Sequence, residues 1–221
     1  MTTNKELKEH PILFSTPMVR AILEGRKTMT RRIIKPQPVM VNGYYRWQPK
    51  AGYDINLEHL NINLTNKLCH YGQIGGRLWV RETWANMWCY NDLSPKDVPK
   101  KSPIWYCDTP GDDPTNCGDD IGKQRPSIFM PRWASRITLE ITNIRVERVQ
   151  EINNADAEQE GFALAGLQNG CPACDTIDHS YYGGRFHFAE YWDSLNAKRG
   201  YSWESNPFVW VVSFKKLSGN R

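Results

Sequence analysis

Apolar and polar residues alternate along Arg77-Leu78-Trp79-Val80-Arg81-Glu82-Thr83-Trp84, the pattern of a half-buried strand. Leu78, Val80 and Glu82 face one way, and Trp79, Arg81 and Thr83 the other. A longer run from Ser135 to Val149 sets Ile137, Leu139 and Ile141 against Thr138, Glu140 and Thr142. Its phase slips at Asn143, ahead of Ile144, Val146 and Arg148, which predicts a bend or bulge. Thr28 to Ile34 and Phe208 to Leu217 read as two further strands, the second buried along much of its length. Ile12-Leu13-Phe14-Ser15 and Ile104-Trp105-Tyr106 add short ones.

Three stretches change to helical spacing. Thr16 caps the first, with Pro17 in its opening turn, and Met18, Val19, Ile22 and Leu23 form one apolar face. Gly25 ends it. Asn153 or Asn154 caps a second helix through Ala165, with Asp156, Glu158 and Glu160 in its early turns, where the helix dipole favours acids. The third, Arg185 to Lys198, places Phe188, Trp192 and Leu195 on one face and stops at Gly200. Strands outnumber helices and no repeat recurs. The pattern predicts an α+β fold, a small mixed β-barrel flanked by short helices.

The 221 residues suffice for one well-buried core. We read Met1 to His10 as a disordered leader and residues 11–217 as one domain. Residues 36–73, 91–124 and 166–184 are loop-rich excursions, the first with a hairpin. No apolar run approaches the ~20 residues that cross a bilayer, and the polar start is no signal peptide, so the chain reads as cytoplasmic with no membrane partner. A net charge of +4 is too mild to name a nucleic-acid partner by itself. Nine tryptophans are many for this length; most fill the core, and some can stack on bases.

Charge becomes informative when it is localised. Between Arg20 and Lys35 the chain carries Arg26, Lys27, Arg31 and Arg32 as well, and Glu24 is the only acid. The segment Gly25-Arg26-Lys27-Thr28-Met29-Thr30-Arg31-Arg32 is built to grip phosphate through charge-assisted hydrogen bonds, and its Lys and Thr can also do chemistry. Arg26, Arg31 and Arg32 are therefore candidate nucleic-acid contacts. Arg132, just after Pro131 at the entry to the long strand, joins them, while its neighbour Trp133 is assigned to the core. Trp203 and Asn206, in the loop before the last strand, pair a ring that can stack with an amide that can read a base edge.

Cys171-Pro172-Ala173-Cys174 has the spacing at which two thiolates hold one Zn²⁺. A structural site needs four ligands, and Cys107, Cys117 and His179 are the candidates to complete it, with Cys69-His70 another source. Free thiols or a redox pair are the alternatives. No other cofactor is required.

The basic segment, Gly76-Arg77-Leu78-Trp79-Val80-Arg81-Glu82, Pro131-Arg132-Trp133-Ala134-Ser135-Arg136-Ile137, the acidic helix Asp156-Ala157-Glu158-Gln159-Glu160-Gly161 and the closing strand Val209 to Phe214 occur in this order. Together they resemble the ASCH family of the PUA-like superfamily, in particular its longer bacteriophage and prophage members. The resemblance implies a β-barrel with a cleft beside the helices, and contact with RNA, a nucleoside or a nucleotide. Some small bacterial members are amidohydrolases acting on N4-acetylcytidine, and others are proposed ribonucleases or RNA-binding regulators. The amidohydrolases' Lys, Thr and Glu fall here on Lys27, Thr30 and Glu160.

Such chemistry is physically reasonable for these residues. Lys27, desolvated or crowded by cations, loses its proton more easily and can act as a base. Thr30 can attack or position a water, and Glu160 can pair with Lys27 or serve as acid and base. Residues i and i+3 face opposite sides of a straight strand, so the Lys27–Thr30 pair needs a turn, which Gly25 makes available. RNA or nucleotide binding is the first reading at this point, with amide hydrolysis of an acylated nucleoside, or ribonuclease activity, as the alternative.

Overall fold

Alternation and turn chemistry set most of the local structure. The computed structural model describes residues 8–49, 51, 53–106, 120–162 and 183–217. In chain order the elements are β1 (Glu9–Leu13), α1 (Thr16–Leu23), β2 (Met29–Ile33), β3 (Val39–Val41), β4 (Tyr44–Trp47), β5 (Ile55–Asn56) and α2 (Ile62–Leu68). There follow β6 (Arg77–Arg81), β7 (Trp84–Ala85), β8 (Trp105–Tyr106), β9 (Thr138–Arg148), α3 (Asn154–Gln159), α4 (Gly184–Asn196) and β10 (Phe208–Lys216). The class is mixed α+β, and the described strands do not close into a barrel. Among the described residues no helix is long and apolar enough to cross a membrane.

These elements gather into two compact units. The first is drawn from residues 1–25, 76–140 and 216–221. Its strands lie in the order β1-β6-β9. β1 runs parallel to β6, from Glu9 opposite Arg77 to Leu13 opposite Arg81, and β6 pairs antiparallel with β9 through Leu78 and Leu139. β7 and β8 form a separate ribbon over a core of Trp84, Tyr106, Met130 and Ala134. Trp133 packs edge-on against Trp84 at 6.3 Å, a core role. Glu82 is buried and accepts from Arg136 Nη2 at 2.8 Å, and the Arg136 guanidinium lies over the Tyr106 ring.

The second unit is drawn from residues 26–75 and 141–215. Its strands run β9-β10-β2, with β10 and β2 antiparallel and Val211 opposite Arg31. A second sheet, β3-β4-β5, begins as a hairpin whose turn residues Asn42 and Gly43 both have positive φ, the Asn-Gly turn that matches strand twist. Trp47 of this sheet meets Trp210 edge-on at 5.4 Å. Phe162, Phe188 and Trp192 pack together to seat α4.

Several boundaries differ from the sequence expectation, each for a local reason. β1 begins at Glu9, inside the expected leader, because Pro11 is tolerated on an edge strand. Ser15, not Thr16, holds the cap position of α1. α3 stops at Gln159 instead of Ala165, because Gly161 turns the chain at a φ of +98°. Leu195 is exposed, so the buried face of α4 rests on Phe188 and Trp192. β9 carries its slip where expected: Thr142 and Asn143 are consecutive exposed residues.

Cys69, at the end of α2, is buried, and burial pushes its thiol up to about 11, whereas Cys89 is exposed. The thiolate is the reactive form. Iodoacetamide at pH 8 should therefore alkylate Cys89 in the native protein and spare Cys69, as read by peptide mass mapping. Equal labelling of both would show that the end of α2 opens readily.

Candidate functional site

The site is assembled where the basic segment meets the end of α3. Asn153 caps α3 by accepting from the Asp156 amide at 2.8 Å. At the other end the Thr28 amide donates to the Gln159 carbonyl at 2.8 Å, which brings Lys27 beside Glu160. Lys27 Nζ donates to Glu160 Oε2 at 2.6 Å and to the Glu160 carbonyl at 2.8 Å. Arg26 reaches the Gly161 carbonyl at 3.5 Å. Two cations from a distant segment thus satisfy carbonyls at the negative end of the helix.

Lys27 and Glu160 are each 3 % exposed. Burial pulls the Lys27 ammonium below its ordinary value near 10.5; the Glu160 carboxylate opposes that shift, and Arg32 and Arg31 add to it. Glu160 Oε1 is buried and accepts no hydrogen bond; Arg31 Nη1 lies 3.6 Å from it. The pair therefore joins an ammonium whose proton affinity burial lowers to a carboxylate with one oxygen that accepts no hydrogen bond.

Arg31 extends the cluster. It lies on the same face of β2 as Met29, whose sulfur is 3.5 Å from Nη1. Its Nη2 donates to Asp156 at 2.5 Å and to Glu147 at 3.2 Å, and Arg145 bonds the same two carboxylates. Lys27, Arg31 and Arg145 are thus balanced by Glu147, Asp156 and Glu160. Lys27, Arg31 and Glu160 are buried and the other three half-buried, and this charge matching is what makes the buried ions tolerable.

The other candidate residues make no hydrogen bond to this pair. Thr30 is buried on β2, opposite Val212, and alternation turns it away from the Met29–Arg31 face. No hydrogen bond joins its hydroxyl to Lys27 or Glu160. Arg32 is half-buried, and its charge is felt by both Lys27 and Tyr71. Arg132 is exposed and forks onto Glu9 at 2.6 and 3.3 Å. Asn206 spends its side-chain oxygen on the Gln150 amide and its carbonyl on Arg148, at a φ of +46°. Trp203 is half-buried, with the Arg185 guanidinium 5.2 Å from its ring centre.

Cys107, Cys117, Cys171, Cys174 and His179 lie outside the described residues. Among the described residues no group of three His, Cys, Asp or Glu side chains could hold a metal ion. Three members of the charged cluster were not singled out by the sequence: Arg145, Glu147 and the partner role of Asp156. The available signal was Arg145 and Glu147 at i and i+2 on a strand past its slip, a charged pair on one face.

No family model matches the sequence, and no curated protein matches it. Among solved structures the chain is similar to protein EF3133 from Enterococcus faecalis V583, of the family model DUF984. The TM-score is 0.37 with 9 % identity, over 96 % of this chain and 85 % of that one. A likeness of that degree assigns neither fold nor family.

Proposed function

We propose that the chain is an amidohydrolase acting on an acylated nucleoside of the N4-acetylcytidine kind, as the resemblance to the ASCH family suggests. The PUA-like barrel and the phage or prophage affinity belong to the same proposal. One observation carries the chemistry: Lys27 and Glu160, 133 residues apart, form a 2.6 Å pair in a buried setting, with Glu160 Oε1 unused. General acid–base partners need this proximity and a shifted proton affinity.

In this reading the attacking oxygen is a water, because the Thr30 hydroxyl makes no hydrogen bond to the pair. Neutral Lys27 takes the water's proton as the C–O bond forms at the acetyl carbon. The tetrahedral adduct then breaks its C–N bond, and Lys27 returns the proton to the departing amine. Acetate and cytidine leave. Glu160 holds Nζ in line and offers Oε1 to the water.

A second reading, RNA or nucleotide binding without turnover, draws on nearby cations: Arg26 donates to the Gly161 carbonyl, and the Arg32 charge is felt at Lys27. The test is incubation of purified protein with N4-acetylcytidine, with product detection by mass spectrometry. Wild type should release cytidine, and Lys27→Ala should release none while keeping its circular dichroism. Thr30→Val should retain turnover. Absence of turnover by wild type on acylated nucleosides would leave the binding reading alone.

A further inference from the structure

In the second unit, the start of α3, the start of α4 and the loop before β10 border an open cleft of about 320 Å³, lined by Asn154, Gly183, Arg185, Phe186, Ala189 and Trp203. That volume is at the low end for small-molecule sites and suits one planar heterocycle. We propose that this cleft binds a nucleobase, separately from the Lys27–Glu160 pair.

The walls are of the kinds that bases use. Unpaired bases are recognised by stacking on aromatic rings or on guanidinium planes, with hydrogen bonds to their edges. Arg185 is fixed by donating Nε to the Ile152 carbonyl and Nη2 to the Gln150 carbonyl, each at 3.0 Å, with its guanidinium 5.2 Å from the Trp203 ring centre. Trp203 is held in turn: its amide donates to Asp193 Oδ1 at 2.5 Å, its carbonyl accepts from Gln150 Nε2 at 2.8 Å, and its ring meets Phe188 edge-on. The flat wall is therefore built before any ligand arrives, which spares the ordering cost of binding.

Asn154 supplies the edge. Its Oδ1 accepts from the Arg185 amide at 3.3 Å, which fixes the amide plane, and its Nδ2 has no hydrogen-bond partner among the described residues. Arg185 Nη1 is likewise without a partner there. Two donors thus stand beside a stacking wall, matched to the carbonyl oxygens and ring nitrogens of a base. Gly183 keeps the mouth clear: a Cβ there would come within 3.0 Å of Asn154 Oδ1.

The cleft sits at the N-terminal end of α3 and Glu160 at its C-terminal end. Asn154 and Glu160 are therefore ~9 Å apart along the helix axis, at 1.5 Å per residue. A base in the cleft is a different base from one at Lys27. It can come from a free nucleotide or from a neighbouring position on a strand.

The test measures binding directly. A 5′-fluorescein single-stranded RNA octamer of mixed sequence is titrated by anisotropy, with cytidine 5′-monophosphate as competitor. Removing one stacking platform costs roughly 1–3 kcal/mol per base. The octamer Kd of Trp203→Ala should therefore rise about 5- to 150-fold. Asn154→Ala, an exposed position that leaves the Asn153 cap in place, should raise it several-fold and guards against a folding artefact at Trp203. Competition by the monophosphate that both substitutions weaken assigns the cleft to a free nucleotide; an effect confined to the octamer assigns it to a strand. Wild-type affinity in both folded variants, or no binding of either probe by wild type, would overturn the proposal. Loss of deacetylation with octamer binding intact would instead strike only the hydrolase reading.

Discussion

Lys27→Met is expected to cost about 3–5 kcal/mol of folding stability, the cost of removing one partner from a buried pair. It leaves the Glu160 carboxylate buried with Arg31, 3.6 Å away, as its remaining ion-pair partner among the described residues. Urea unfolding should show a lower midpoint at unchanged slope. The double substitution Lys27→Met/Glu160→Leu should recover most of the loss, because apolar side chains of similar volume need no compensating charge. A single variant as stable as wild type would show that the pair contributes nothing.

The loss should also depend on pH, with a definite sign. Burial lowers the Lys27 proton affinity in the native state, so between that lowered value and about 10.5 the unfolded chain binds a proton that the native chain does not. Stability from this group therefore rises with pH across that window and is lost as pH falls through the native value. The gap between wild type and Lys27→Met should widen toward alkaline pH.

Glu160→Gln is expected to lower kcat/KM for deacetylation by about 10²–10⁴-fold, the usual contribution of a positioned acid–base group. Glutamine can still accept from Lys27 Nζ, which donates to Oε2 at 2.6 Å in the native protein. What is lost is the charge that holds a water's proton and supports Lys27 when it is protonated. The fall should lie in kcat, with KM little changed, because the effect is on the transition state. Retained turnover in Glu160→Gln, with none in Lys27→Met, would reduce Glu160 to a structural partner.

Much of the local structure was legible in the chain. The strand at Arg77, the slip at Asn143, the helix opening beside Asn153 and the turn at Gly25 all follow from alternation, caps and glycine, which act over a few residues. The exceptions show where that locality ends. Alternation could not say that Pro11 would sit on an edge strand, which sets where β1 begins. Nor could it say that the first strand would run parallel to the β6 strand, since pairing joins residues 68 apart.

The sequence by itself determined that four cations would crowd one short segment, and that an acid-bearing helix would follow the long strand. Only the tertiary structure decided what those charges do. Arg31, read from the chain as a phosphate contact, spends Nη2 on Asp156 and Glu147, whereas Lys27 meets Glu160. The reason is physical. A charge in sequence has no fixed partner, and its role depends on burial and on which opposite charge arrives within ~4 Å, where Coulomb energy outweighs solvation only if geometry is good. That distance is set by the Thr28–Gln159 hydrogen bond across 131 residues, and no periodicity encodes it.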